Sequence, residues 1–197
     1  MFTGIIESQA VVKSIVRKGE NLEIGLSCRF VDELKIDQSV AHNGVCLTVT
    51  EIKDGTYFVT AILETLSRTN LGLLQLGDLV NVERCLPMNG RIDGHLVQGH
   101  VDSIAICNRI DAIDGSWVFE FGYDPGPGRI TVEKGSICVN GVSLTVVDSG
   151  VSSFSVAIIP YTYEHTNFNT MRVGSKVNLE FDILGKYVEK ILGSRSV

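Results

Sequence analysis

Apolar and polar residues alternate through most of this 197-residue chain in short runs. Period-two alternation is the pattern of strands with one buried face. It predicts strands over residues 9–16, 22–28, 57–63 and 79–84. Residues 39–41 and 45–52 flank Asn43-Gly44, and a type I′ hairpin turn needs positive φ at both central residues, so this reads as a hairpin. The pattern then starts again, with strands over 104–110, 117–123, 153–159 and 176–181 and a second hairpin over 136–148 around Asn140-Gly141. Helical signals are few: residues 30–35, about one turn near 65–73, and the tail. At residues 183, 184, 187, 188, 191 and 192 the tail carries an apolar stripe on one helical face. It belongs to neither run of strands, which favours an intermolecular role.

The restart is a duplication. Residues 39–49 and 136–146 share Ser, Asn, Gly, Val, Leu, Thr and Val in the same places. At the same spacing Thr65 answers Thr162, and residues 76–83 answer 173–180. The start recurs too, Gly4–Ser8 resembling Gly99–Ser103. Turn formers between Leu86 and Gly94 read as a linker. This implies residues 1–95 as one barrel with its linker, 96–184 as a second, and 185–197 as a terminal helix. About six short antiparallel strands per copy favour a small closed barrel, which removes sheet edges. The fold class is all-β: two six-stranded antiparallel Greek-key barrels in tandem, plus a C-terminal α-helix. Pro125 to Gly128 excludes in the second copy the short helix expected near residue 30 of the first.

Bulk composition narrows the function. Hydrophobic content of 44% with 20% charge fits a globular protein, and a net charge of −6 without basic runs argues against nucleic acid. No apolar run approaches the length of a membrane helix, and the first residues lack a signal-peptide pattern, so the expectation is cytoplasmic. Five scattered cysteines without a Cys-x-x-Cys pair suggest a reducing compartment and no zinc site. The four histidines lack ligand spacing, so no metal is expected. His95 and His100 are five apart, which on a strand puts them on opposite faces.

Five motifs carry a resemblance to a known family: the start at Met1–Glu7, Asn43–Thr50, Val80–Arg84, Gly94–Asp102 and Asn140–Thr145. Together, in order and over essentially the whole chain, they resemble riboflavin synthases of the trimeric, two-barrel type. The resemblance implies dismutation of two molecules of 6,7-dimethyl-8-ribityllumazine. One donates a four-carbon unit to the other, without cofactor or metal. Each barrel would bind one lumazine. Active sites would form between the N-terminal barrel of one subunit and the C-terminal barrel of another, in a homotrimer held by the tail helices. Association with lumazine synthase is a further implied partnership.

The chemistry needs a proton taken from one C7 methyl and a nucleophile added at C7 of the other ring. His100 is the expected proton carrier, because an ordinary histidine titrates near neutral pH. Cys46 and Thr48 share a strand face, as do Ser143 and Thr145, and the resemblance makes all four lumazine contacts. It also places Ser39 and Asp182 near the reaction centre, and Phe2, Gly4, Ile5 and Ile6 folding over the N-terminal site. Thr65 and Thr162 are further contacts paired by the repeat, and the backbone before Thr65, at Thr60, Ala61, Ile62, Leu63 and Glu64, would hold one pyrimidine edge. That before Thr162, at Ala157, Ile158, Ile159, Pro160 and Tyr161, would hold the other, Pro160 lacking a donor. Leu47, Leu144, Gly99, Val101 and Lys134 complete the implied set. His95 reads as structural or interfacial.

Two other classes compete. An antenna protein of the same form would bind lumazine or flavin without turnover, but such proteins lack the paired histidines that this chain has. A reductase flavin domain would expect a nicotinamide-binding partner, and no Gly-x-Gly-x-x-Gly motif occurs.

Overall fold

A computed structural model describes residues 1–193, and the final four residues, part of the helix expected over 185–197, lie outside the described set. The first barrel is built from β1 (Ser8–Lys18), β2 (Asn21–Ser27), β3 (Ser39–His42), β4 (Val45–Lys53), β5 (Thr56–Ala61) and β6 (Leu79–Arg84). The second uses β7 (Ser103–Ile113), β8 (Ser116–Tyr123), β9 (Ser136–Val139), β10 (Val142–Ser149), β11 (Ser153–Ile158) and β12 (Lys176–Phe181). Each closes in the same order: β1-β2-β5-β4-β3-β6 in the first and its equivalent in the second. Every pairing is antiparallel. The link from β2 to β3 passes over one barrel end, so β2 pairs with β5 in Greek-key order.

Both hairpins turn as expected: Asn43 and Gly44 have φ of 46° and 79°, Asn140 and Gly141 of 46° and 81°. The strands expected over 57–63 and 153–159 stop sooner. Ile62 and Ile159 are extended N-caps of short helices, α1 (Leu63–Arg68) and α2 (Pro160–His165), each followed by a 3-10 turn. The helix expected over 30–35 is one 3-10 turn, Val31–Glu33.

Strand alternation fills both barrels with side chains. Val40, Val45, Leu47, Val49, Tyr57 and Val59 face the first core, and Phe30, Val31 and Leu34 of the lip turn plug one end of it. The second core is aromatic, with Phe119, Phe121, Tyr123, Phe154, Phe168 and Phe181. Strand registers locate two extra residues of the second copy: equivalents are 95 apart through β2 and β8 (Asn21 to Ser116) and 97 apart from β3 and β9 onward (Ser39 to Ser136). The insertion falls in the proline-glycine lip.

The barrels meet through six buried asparagines, three from each copy: Asn43, Asn70 and Asn81, and Asn140, Asn167 and Asn178. Asn70 donates its N–H to the Asn178 side chain at 2.7 Å, and Asn167 donates its own to Asn81 at 2.8 Å. Asn81 Nδ2 donates to the Asn140 carbonyl, and Asn178 Nδ2 to the Asn43 carbonyl, both at 2.9 Å. Each bond has a mate under a two-fold exchange of the copies. Gly44 and Gly141 meet on this axis, where a Cβ on either would lie under 3 Å from the other's backbone nitrogen.

The tail forms α3 (Ile183–Gly193), which lies against the second barrel by its polar side. Lys186 Nζ donates to Asp102 at 2.8 Å, and Glu189 accepts the Gly128 N–H. Leu184, Tyr187, Val188, Ile191 and Leu192 face outward and are exposed.

Candidate active site

Alternation along β4 sends Val45, Leu47 and Val49 inward, so Cys46 and Thr48 lie on the outer face of the barrel. The hairpin at 39–49 is therefore the outer wall of the barrel. Ser39 sits opposite Thr48 across β3, and Ala41 opposite Cys46. Leu47 is a core residue. On β10, Ser143 and Thr145 face outward in the same way, and Leu144 packs toward the second core.

A strip of chain from the opposite copy covers each face. Cys46 donates its N–H to the Gly99 carbonyl at 2.9 Å, and Ser143 donates its own to the Gly4 carbonyl at 2.8 Å. Gly99 and Gly4 have φ of 82° and 76°. A Cβ on either would lie 2.6 Å from the Cβ of Cys46 or Ser143, so the strips can lie this close only as glycine. Val101 packs on the first core and Ile6 on the second. Of residues 2–6, expected over the N-terminal site, Gly4 and Ile6 lie on the second barrel, while Ile5 is exposed and lines a hollow with Ser39 and Cys85. Phe2 is fully buried between the barrels beside Ala41, Cys46, Val97 and Cys138, and pairs with Val97 as an antiparallel bridge.

His95 and His100 do not share a strand, since only Val97 between them makes a bridge. His100 is exposed at the edge of the N-terminal face, its N–H bound to Glu180 at 2.9 Å. His95 is buried, and its Nδ1 lies 2.6 Å from Ser143 Oγ. Burial lowers the His95 pKa, while the Asp182 charge pulls it up. Asp182 Oδ1 also accepts the Leu184 N–H at 3.0 Å and so caps the start of α3. The C-terminal face thus gathers Ser143, His95 and Asp182. In the N-terminal face burial raises the Cys46 thiol, and the Ser39 side chain draws it back down. The amino group of Met1 lies 3.9 Å from Cys85, the residue equivalent to Asp182.

The β5–α1 and β11–α2 corners flank these faces. Ile62, Leu63 and Glu64 are exposed, as are Ala157, Ile159, Pro160 and Tyr161, while Thr60, Thr65 and Thr162 are half-buried and Ala61 and Ile158 are buried. Pro160 occupies the first helical position of α2, where a backbone N–H would have no helical partner. The Thr65 and Thr162 carbonyls each accept a threonine hydroxyl four residues on at 2.7 Å. Lys134 is exposed with φ of 64°, beside Gly135. A hollow of about 560 Å³ lined by Ser39, Cys85, Ile5 and Arg84 opens next to the N-terminal face.

Sequence reasoning missed His95 as a partner of Ser143, and it missed Glu83 and Glu180. Both glutamates are buried. The repeated Val-Asn-x-Glu at 80–83 and 177–180 was the available signal.

Known proteins share this arrangement. The lumazine binding domain family matches twice, over residues 3–85 and 98–182. The riboflavin synthase of Actinobacillus pleuropneumoniae is 40% identical, over 98% of this chain and 90% of that protein. That of Bacillus subtilis is 37% identical with the same coverage, and that of Mycobacterium bovis 38% over 98% and 99%. The crystal structure of LumP complexed with riboflavin superposes with a TM-score of 0.84 at 21% identity, covering 92% of this chain and 99% of that one. LumP complexed with 6,7-dimethyl-8-(1'-D-ribityl) lumazine gives 0.82 at 20%, covering 91% and 98%. With two lumazine-binding barrels and full-length relatives well above 30% identity, the chain belongs to the riboflavin synthase family.

Proposed function

We propose that this chain joins two molecules of 6,7-dimethyl-8-ribityllumazine by four-carbon transfer. The products are riboflavin and 5-amino-6-(ribitylamino)uracil. One observation carries the reading: the repeat builds two outward faces of one design, each closed by the other copy's strip, with different polar groups. Two copies of one substrate must act as donor and acceptor, and unequal faces meet that need. The protein's task is to place two rings and the donors around them, because the ring itself delocalises the developing anion. His100, exposed beside Cys46, is positioned to move a proton. On the other face His95 and Ser143 form a hydrogen-bonded pair in which the imidazole can accept the hydroxyl proton.

In a single chain Thr48 and Thr145 stay exposed beside the strips, and α3 turns exposed apolar residues outward while its polar side is tied to its own barrel. This supports a homotrimer with sites completed between subunits. Association with lumazine synthase and a cytoplasmic location belong to the same reading. Mixing the purified protein with the lumazine and following flavin fluorescence tests it. Turnover is expected, and binding without turnover would instead make it an antenna protein. Removing residues 186–197 should give monomers with little activity, read by light scattering and the same assay. A fully active monomer would contradict sites between subunits.

A further inference from the structure

Glu83 and Glu180 occupy equivalent places at the ends of β6 and β12, and both are buried. Neither meets a cationic side chain directly among the described hydrogen bonds and ion pairs. Their partners are backbone N–H groups, joined at Glu83 by the Thr3 hydroxyl. Glu180 accepts the N–H groups of Gln98 at 2.6 Å and of Gly99 and His100 at 2.9 Å. Glu83 accepts the N–H and hydroxyl of Thr3 at 2.7 and 2.9 Å and the N–H of Gly4 at 2.9 Å. Three donors converging on an ionised carboxylate are strong, directional bonds. What each carboxylate grips is the strip that covers the opposite barrel.

We propose that these glutamates are crossed positioning residues: Glu180, rooted in the C-terminal barrel, sets the N-terminal face, and Glu83, rooted in the N-terminal barrel, sets the C-terminal face. Glu180 fixes Gly99 and His100, and Gly99 in turn fixes the Cys46 backbone. Glu83 fixes Gly4, which fixes Ser143. A glutamine in either place presents an amide that can accept with only one atom. Its NH2 would point at a backbone donor, so part of the strip is released. The assignment of these faces to lumazine rests on the proposed function, but the crossed wiring does not.

The test reads each face by thiol alkylation in the full chain. Cys46 reports the N-terminal face, and the Ser143→Cys substitution supplies a matching reporter thiol on the other. Without ligand, Glu180→Gln should raise the iodoacetamide rate at Cys46 at least threefold and leave the rate at the introduced thiol unchanged. Glu83→Gln should do the reverse. Uncrossed effects, or equal effects on both faces, would overturn the proposal. The buried Cys107 and Cys138 monitor unfolding by mass spectrometry. Should Glu180→Gln expose them too, hydrogen exchange on the wild-type chain decides: the amides of Gly99 and Cys46 must open together, and separate opening overturns the proposal. Adding 6,7-dimethyl-8-ribityllumazine should protect wild-type Cys46. In Glu180→Gln the half-protecting concentration should rise at least threefold, whereas Glu83→Gln should match wild type. Absent protection in the wild type would sink the lumazine reading, while the ligand-free rates still judge the wiring.

Discussion

The two barrels share a strand order and a turn type, yet they solve the same packing problems differently. At equivalent core positions the first has Ile24, Leu26, Tyr57 and Leu71, and the second has Phe119, Phe121, Phe154 and Phe168. The first barrel compensates for its smaller side chains by plugging its lip with Phe30, Val31 and Leu34. The second has prolines and glycines at that lip and needs the aromatic volume. A similar exchange occurs at the barrel rim. Glu7 and Asp102 each accept the backbone N–H that follows the buried glutamate, that of Arg84 at 2.7 Å and that of Phe181 at 2.9 Å. In the first barrel the balancing cation is Arg84 itself, which also binds Glu33 at 2.7 Å. In the second it is Lys186, so only that barrel holds α3. The duplicated framework is thus held fixed by backbone needs, while side-chain volume and charge are free to diverge.

The largest expected effect tests the divergence of the strips. His100 and Ile5 are equivalent, and only one can carry a proton. His100→Gln should lower turnover about 100-fold in steady-state flavin formation, the usual worth of a positioned acid–base group. Ile5→Ala should change it less than about threefold. Equal losses would mean that both strips act only as covers.

Next comes a core asymmetry. His42 and Tyr57 form a buried pair at 3.0 Å where the second barrel has Val139 and Phe154. Burial lowers the His42 pKa from 6.5 to about 4. The unfolded chain therefore takes up this proton before the folded one. Stability is whole above about pH 6.5 and falls as pH drops toward 4, by about 3 kcal/mol at about 1.4 kcal/mol per pH unit. The double variant His42→Val, Tyr57→Phe should remove that loss in urea unfolding at pH 7 and pH 4.5. An unchanged difference would move the acid sensitivity elsewhere.

The asparagine network offers a test of sameness. Asn81→Ala and Asn178→Ala should each cost about 2 kcal/mol in urea unfolding, since each strands buried backbone groups. Markedly unequal costs would break the two-fold comparison. The smallest effect concerns α3. Lys186→Met should cost about 0.5–1 kcal/mol, and high salt should erase the difference, as for other partly exposed ion pairs.

Much of this is legible in the residues because duplication doubles every signal. Asn-Gly turns, alternation and barrel closure follow from local rules, and the shared face of Cys46 and Thr48, like that of Ser143 and Thr145, follows from their spacing, while burial shows that this face points outward. The crossing of the strips does not. The Gly4 and Gly99 segments look like the starts of their own copies, and only the folded chain shows each lying on the other barrel. His95 is hidden for the same reason. Its partner Ser143 is 48 residues away, beyond any local pattern. The strand ends at Ile62 and Ile159 are hard to place because an extended N-cap looks like strand until the helix begins.

The paired asparagines and the facing Gly44 and Gly141 have a consequence for assembly. An asparagine network in which each bond between the copies has its two-fold mate is self-complementary, the property of a two-fold dimer between identical subunits. The tandem chain is in that sense a dimer with its halves tethered. The exposed turn around Met88 raises their effective concentration without adding a contact. Cleaved there, the halves should remain associated, and the tether's contribution would appear only on dilution, as a dissociation that the intact chain cannot undergo.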